Sequence, residues 1–308
     1  MAVSTASIFI RYAQENAPSL VIAAYRLTLA TLVMAPIAFF RHRAELRRLG
    51  RGALVWASLS GLFLALHFAT WITSLEYTTV ASSVVFVTTT PLWVALLAPL
   101  MLKESLARPV LMGMLVTLAG GVIIALSDSC SMTIGGLICP PLRQFIGGTA
   151  FVGDFLALIG AWAAAGYILI GRRLRAGMSL VVYIFVVYGM AAVSLLALAL
   201  GAHFLTPTGL DTPLRSNPFW GYPPITYLWF ALLALIPQLL GHSTFNWALG
   251  YLSAAYVSIT LLGEPIGSTI LAYFLLGEKP TTVKIIGAIL ILFGIYTASR
   301  RESTRREA

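Results

Sequence analysis

The chain has 308 residues, 59% of them apolar and only 10% charged, with a formal net charge of +9. No soluble domain of this length needs so much apolar surface, so the composition excludes a soluble globular protein and indicates a polytopic α-helical membrane protein. Nor does the basic excess indicate nucleic acid, because it is gathered in short connectors between apolar runs, as membrane topology requires.

The apolar runs lie at about 1–13, 20–40, 53–75, 79–102, 109–127, 150–171, 181–204, 226–249, 253–276 and 282–299. Nine of them approach the ~17–25 residues of a spanning helix. The first, as a helix, reaches only ~20 Å of a ~30 Å hydrocarbon core, so it reads as truncated. No cleavable signal pattern follows Met1. The expected fold is therefore an all-α integral membrane protein of ten transmembrane helices, the first one short.

Orientation follows from the connectors. Arg41, Arg43, Arg47, Arg48 and Arg51 follow run two, Lys103 and Arg108 run four, and Arg172, Arg173 and Arg175 run six; Arg300, Arg301, Arg305 and Arg306 close the chain. With both termini inside, these fourteen are cytoplasmic and the other six, Arg11, Arg26, Arg143, Arg215, Lys279 and Lys284, are outside or within the membrane. The reverse orientation inverts the count, so both termini are expected in the cytoplasm.

Several runs carry polar residues at membrane depth, where they are costly and mark function or structural pairing. Arg26 in run two suits a substrate carboxylate or an acidic side chain; holding backbone carbonyls is the alternative. His67 and Trp71 share a face of run three. Run four breaks at Thr88-Thr89-Thr90-Pro91, where the hydroxyls can instead bond their own backbone. The outer loop 128–149 reads as irregular, and its Cys130 and Cys139 can form a disulfide on an oxidising side or remain free thiols. Asp154 reads as a helix N-cap or first-turn acid. Trp162 and Tyr167 on run six, with Tyr183 and Tyr188 on run seven, can stack on a solute or serve packing. Trp220, Tyr222, Tyr227 and Trp229 read as interface belt residues. Run eight carries Gln238, His242, Asn246 and Trp247 at helical spacing. His67 and His242 are candidates for a coupling proton, with helix-to-helix hydrogen bonding as the structural alternative.

Run nine breaks at Gly263-Glu264-Pro265-Ile266-Gly267. Pro265 removes a helical hydrogen bond. Glu264 is the one acid near the centre of any run; it is either a proton carrier or a fixed carboxyl bonded to backbone groups that the proline frees. Gly113, Gly120, Gly287 and Gly294 recur at seven-residue spacing and smooth one face of runs five and ten for close packing.

Runs four and five resemble runs nine and ten at a constant offset of 174 residues, the distance from Pro91 to Pro265. The same offset pairs Ala81 with Ala255, Glu104 with Glu278, Gly113 with Gly287 and Gly120 with Gly294. Apolar composition alone does not align a proline, a glutamate and two glycines without a gap. Five runs per half is an odd number, so the second half inserts upside down, and inverted repeats place a binding site between the halves near the bilayer midplane. The domain reading is a first five-helix repeat at 1–127, an outer loop at 128–149, a second repeat at 150–300 and a basic cytoplasmic tail at 301–308.

The chain resembles the EamA-like ten-helix permeases of the drug/metabolite transporter superfamily. The resemblance rests on Tyr25-Arg26, the stretch Ser74 to Ser82, Pro91 with Lys103-Glu104, the Gly153 to Leu158 opening of run six, Leu262-Gly263-Glu264-Pro265, and Leu275-Leu276-Gly277-Glu278. Arg11 sits where relatives often carry a basic residue. The departure is the short first helix. The resemblance implies two inverted five-helix halves around a central cavity. It further implies a plasma-membrane exporter of amino acids, other metabolites or toxic compounds.

The expected function is a secondary active transporter, exporting small metabolites, amino acids or drug-like compounds by alternating access, with proton coupling through Glu264, His242 or His67. Its cavity is expected from Arg26, His67, Trp71, Thr90, Trp162, Tyr167, Gln238, His242, Asn246, Trp247 and Glu264. A gradient-independent facilitator or channel, an intramembrane enzyme and a scaffold are the alternatives. No Gly-x-Ser-x-Gly, His-Glu-x-x-His or Walker loop is present, so no enzyme, cofactor or metal site is expected. The expected partners are a small-molecule solute, the lipid bilayer and protons, without nucleic acid; the sequence is silent on oligomeric state.

Overall fold

The structure, a computed structural model, describes residues 2–103, 108–129, 131–133, 136–138, 148–205, 219–279 and 281–304. Cys130 and Cys139, with the question of a disulfide between them, lie outside the described residues, as does Glu104. A 3₁₀ turn at Val3–Thr5 leads into α1, Ala6–Gln14. There follow α2 (Ser19–Arg41), the short surface helix α3 (Arg43–Arg48), α4 (Arg51–Ser74), α5 (Val80–Val87), α6 (Thr90–Leu102) and α7 (Arg108–Ser129). Next come α8 (Thr149–Arg175), α9 (Leu180–Leu205) and α10 (Pro224–Leu233), which runs through a π-helical segment, Ala234–His242, into α11 (Ser243–Ala248). The chain then forms α12 (Ala254–Thr260), a 3₁₀ turn at Leu261–Gly263, α13 (Glu264–Leu276) and α14 (Thr282–Thr304).

Among the described residues, seven helical stretches are long and apolar enough to cross a membrane. They are 19–41, 51–74, 80–102, 149–175, 180–205, 224–248 and 254–276. Helices α7 and α14 contribute shorter apolar stretches, Leu111–Ile123 and Ile285–Gly294. Large apolar side chains such as Phe40, Leu100, Phe204 and Phe274 stand exposed along these helices. Water would penalise such a surface, whereas acyl chains solvate it. The fold is thus a multi-pass helical membrane fold.

The link after α7 departs from the irregular loop expected there. Helix α7 runs on to Ser129, and β1 (Ser131–Thr133) then pairs antiparallel with β2 (Gly136–Ile138), Ser131 opposite Ile138. This hairpin is the described exception to an all-α fold.

The 174-residue offset reappears in the element boundaries. Val80 and Ala254 open α5 and α12, Thr90 and Glu264 open α6 and α13, and Leu102 and Leu276 close them. The local chemistry explains the coincidence. Thr79 and Ser253 are matching N-caps, whose hydroxyl oxygens accept from the Ser82 and Tyr256 amides, each at 3.2 Å. Pro91 and Pro265 sit in the first turn of α6 and α13, where a missing N–H removes no helical bond. Lys103 and Gly277 end those helices in the left-handed region, at φ 56° and 70°.

Packing divides most of the helices into two groups. Helix α8 lies along α4, α5 and α6, while α1 lies along α10 and α13. Between the groups α2 pairs with α9 and α7 with α14. Glycines set the last contact: Gly120 faces the Gly287 carbonyl and Gly294 faces the Gly113 carbonyl. These are the same two positions of the repeat seen from either side.

Candidate functional site

The two broken helices lie side by side and antiparallel, α5 against α13 and α6 against α12. Their breaks therefore meet at one depth. In the first, the hydroxyls of Thr88, Thr89 and Thr90 bond the carbonyls of Val84, Phe86 and Val87, each at 2.8 Å. Thr90 also reaches the Ala161 carbonyl, at 3.3 Å. In the second, the 3₁₀ turn delivers Glu264 to the first position of α13, where the helix dipole favours a carboxylate. Among the described residues no protein group hydrogen-bonds the Glu264 carboxyl. The fixed, backbone-bonded carboxyl considered from the sequence is therefore not what the structure places there.

At the breaks is a cavity with an open mouth, lined from both groups of helices. One wall is His67, Trp71, Val87, Thr88, Thr90, Ala164, Tyr167 and Ile168, from the group containing α8. The other is His242, Phe245, Asn246, Leu249, Leu261 and Glu264. The spacing within each wall is helical: His242, Phe245, Asn246 and Leu249 fall on one stripe, as do Ala164, Tyr167 and Ile168. The Tyr167 hydroxyl donates to Asn246 Oδ1 at 2.6 Å and joins the walls. Behind them, the Asn246 amide donates to the Tyr188 hydroxyl at 3.3 Å. His67 donates from Nδ1 to the Gly160 carbonyl at 2.9 Å, which fixes its ring and leaves Nε2 free of that bond. His67 and His242 lie 6.3 Å apart between ring centroids.

Seven of the residues expected in the cavity line it: His67, Trp71, Thr90, Tyr167, His242, Asn246 and Glu264. Four do not. Arg26 and Gln238 are fully buried and bonded to each other, Arg26 Nε donating to Gln238 Oε1 at 2.8 Å. The guanidinium lies 4.1 Å from the centroid of the Phe68 ring, which itself faces His242, so the pair forms a layer behind the wall. Trp162 and Trp247 are 52% and 51% exposed and belong to the outer surface, which corrects their assignment to the cavity. Of the other aromatics, Tyr183 and Tyr188 are buried, and Tyr183 meets the Ser60 hydroxyl at 3.0 Å. Trp229 stacks on Tyr12 at 4.9 Å. Asp154 is corrected too: the helix starts at Thr149, and the Asp154 carboxylate instead accepts from the Thr78 hydroxyl at 3.0 Å.

Phe245, Leu249, Leu261, Ala164 and Ile168 were not foreseen as lining. For Phe245, Leu249, Ala164 and Ile168 the signal was register with His242, Asn246 and Tyr167, and for Leu261 its place one turn before Glu264. The π segment was hidden as well, although Pro237 and Gly241 within run eight hint at an irregular turn.

Away from the membrane-spanning segments, α3 touches the start of α9. The Ser179 amide donates to Glu45 Oε1 at 2.7 Å, and His42 Nδ1 is 3.4 Å from the other carboxylate oxygen. Burial disfavours the ionised Glu45, but these bonds outweigh it and hold the carboxyl below its ordinary range.

A multi-span helical fold with a polar-lined cavity between two groups of helices is compatible with a membrane permease. The model of the EamA-like transporter family matches residues 1–126 and 151–300, and the chain belongs to that family, within the drug/metabolite transporter superfamily. It is therefore a transporter; among the described residues no three His, Cys, Asp or Glu side chains are placed to hold a metal. The chain is 24% identical over 300 residues to an uncharacterized transporter of Archaeoglobus fulgidus, spanning 96% of this chain and 92% of that one. It is 26% identical over 282 residues to the uncharacterized transporter YyaM of Bacillus subtilis, spanning 90% of this chain and 83% of the relative. A solved crystal structure, 19% identical, shares the fold with a TM-score of 0.69 over 100% of this chain and 95% of that one.

Proposed function

We propose that the chain is a secondary carrier of ten helices in two inverted five-helix repeats, 1–127 and 150–300, which exports a small amphipathic solute by alternating access. The observation that carries this reading is the cavity with one wall from each group of helices, set at two breaks that occupy the same place in each repeat. Unwound positions near the midplane at a repeat interface are where such carriers bind solute and coupling ion. The lining of two imidazoles, an indole, a phenol, an amide and one carboxyl suits an amino acid or a cationic drug-like compound. The distribution of Lys and Arg supports both termini in the cytoplasm and, with the family, a plasma-membrane location.

Glu264, which lines the cavity and which no described group hydrogen-bonds, is the proposed proton carrier, with His242 and His67 lining the same cavity. Comparing medium with cytosol in cells overproducing the protein identifies the solute. The purified protein in liposomes then moves that solute with saturation and counterflow; unsaturable flux would replace the carrier with a channel. Glu264→Gln abolishes pH-driven accumulation and leaves counterflow. Undiminished proton-driven accumulation in that variant would refute the coupling role.

A further inference from the structure

The last turns of α1 and α8 occupy equivalent places. Gln14 ends α1 and Arg175 ends α8, 161 residues apart, and Ser19 and Leu180 open the following helices at the same separation. From each last turn, two side chains three residues apart reach across to carbonyls at the end of a helix in the opposite group or in the turn that follows it. Arg11 donates to the Thr78 carbonyl at 2.8 Å and Gln14 to the Ile72 carbonyl at 2.9 Å. At the other end, Arg172 donates to the Leu249 carbonyl at 3.0 Å and Arg175 to the Asn246 carbonyl at 3.0 Å. Arg11 and Arg172 are again 161 residues apart, and the acceptors Ile72 and Asn246 are related by the repeat offset of 174. The two sets stand at opposite ends of the bundle. Helix α4 runs antiparallel to α8, as shown by Ser60 meeting the Tyr167 carbonyl and Thr78 meeting Asp154. The end of α4 therefore lies beside the start of α8, far from Arg172 and Arg175.

The chemistry of these contacts is that of a latch. Carbonyls in the last turn of a helix have no intrahelical donor and carry the negative end of the dipole, so they accept readily from a guanidinium or an amide. The acceptor residues are buried and the donors half-buried, so each bond holds while the helices are closed at that end and is exchanged for bonds to water where they part. Both sets bridge the two groups of helices whose walls enclose the cavity. Asn246 belongs to both features: its carbonyl is held by Arg175 and its side chain by Tyr167 inside the cavity.

We infer that Arg11 with Gln14, and Arg172 with Arg175, are the outer and cytoplasmic gates of the transport cycle, released in alternation. This rests on the carrier reading and on the topology given above. Asn246 links cavity and gate, since a solute that takes the Tyr167–Asn246 bond loosens the residue that Arg175 holds.

The test uses the full chain with Cys130→Ser, Cys139→Ser and a reporter thiol in the wall, Ala164→Cys, in oriented membrane vesicles. A membrane-impermeant maleimide is applied from one side at a time. Arg172→Ala with Arg175→Ala is expected to raise labelling from the cytoplasmic side at least tenfold and to lower it from outside. Arg11→Ala with Gln14→Ala is expected to do the reverse. Arg172→Lys with Arg175→Lys, which keeps a cation at the carbonyls, is expected to shift labelling less than threefold, separating gate release from general loosening of the fold. Pairs that change neither side, or that open the same side, would overturn the gates while leaving a carrier. Equally fast labelling from both sides before any latch is altered would overturn the carrier and the gates with it.

Discussion

Gly294→Ala tests the contact that joins α7 to α14. A Cβ on Gly294 would stand 2.3 Å from Thr117 Oγ1 and 2.5 Å from the Gly113 carbonyl oxygen, where ordinary contact begins at 3.4 Å. The Thr117 side chain can turn away, but the carbonyl belongs to the backbone of α7. One helix must therefore retreat by about 0.9 Å, and the dispersion contacts along the seam weaken together. Overpacking of this kind costs about 1–3 kcal/mol, against at most about 1 kcal/mol recovered from replacing a helical glycine. The net expectation is a clear fall in thermal stability, read as the melting midpoint of the purified protein in detergent. Gly120→Ala, whose Cβ would meet the Gly287 carbonyl at 2.6 Å, is expected to cost a similar amount, because the repeat places it in the equivalent environment. Gly52→Ala is the control: nothing lies within 4 Å of its Cβ, so it is expected to be neutral or slightly stabilising. If Gly294→Ala and Gly52→Ala melt alike, the close approach of the two helices is not part of the native fold.

Further outcomes follow from the remaining contacts. Tyr167→Phe removes the 2.6 Å bond to Asn246 and leaves a buried amide oxygen short of a donor, which is expected to cost about 1–3 kcal/mol in stability, measured in the same melts. For Glu45, the folded carboxyl titrates below its ordinary range, so its contribution is present above the unfolded pKa of about 4.3 and disappears as pH falls through the folded value. Glu45→Gln should therefore narrow the difference in melting point between neutral and acidic solution; an unchanged difference would show that the Ser179 and His42 contacts carry no pH-linked stability. On topology, a tag after Arg306 is expected to react only from the cytoplasm and one near Ser216 only from outside, and the opposite result would invert every side assigned above.

The break in run nine was readable because proline, glycine and a carboxylate are chemically out of place in an apolar helix. Repetition then gave its counterpart at Thr90-Pro91, and the paired caps at Thr79 and Ser253 show why the two breaks fold alike. Helix faces were much less readable. In a soluble helix polarity marks the outer face, but a membrane helix is apolar all round, so Trp162 and Trp247 gave no sign that they point outward. Arg26 illustrates the same difficulty in depth. Its position along run two was readable, but the interposed Phe68 ring that keeps it off the wall comes from another helix. The π segment escaped because its geometry depends on which carbonyls Pro237 leaves without donors, and a hydropathy pattern carries no information on that.

On the proposed reading, the symmetry of the scaffold and the asymmetry of its polar groups do different work. If two halves share boundaries, caps and glycine contacts, exchanging their conformations costs little, and the inward-open and outward-open states lie close in energy. A ligand can then shift the balance with a few kcal/mol of differential affinity. What distinguishes the two sides must come from positions where the repeats differ. Several such positions lie on the transport path, among them Thr90, which faces the cavity where its counterpart is Glu264, and Gln14, which stands in the latch where its counterpart is Arg175. A neutral amide holds a helix-end carbonyl less strongly than a guanidinium does, so the outer latch is the easier to release. With the carboxylate present in one half only, the proposed direction and coupling of transport draw on such departures from the repeated scaffold.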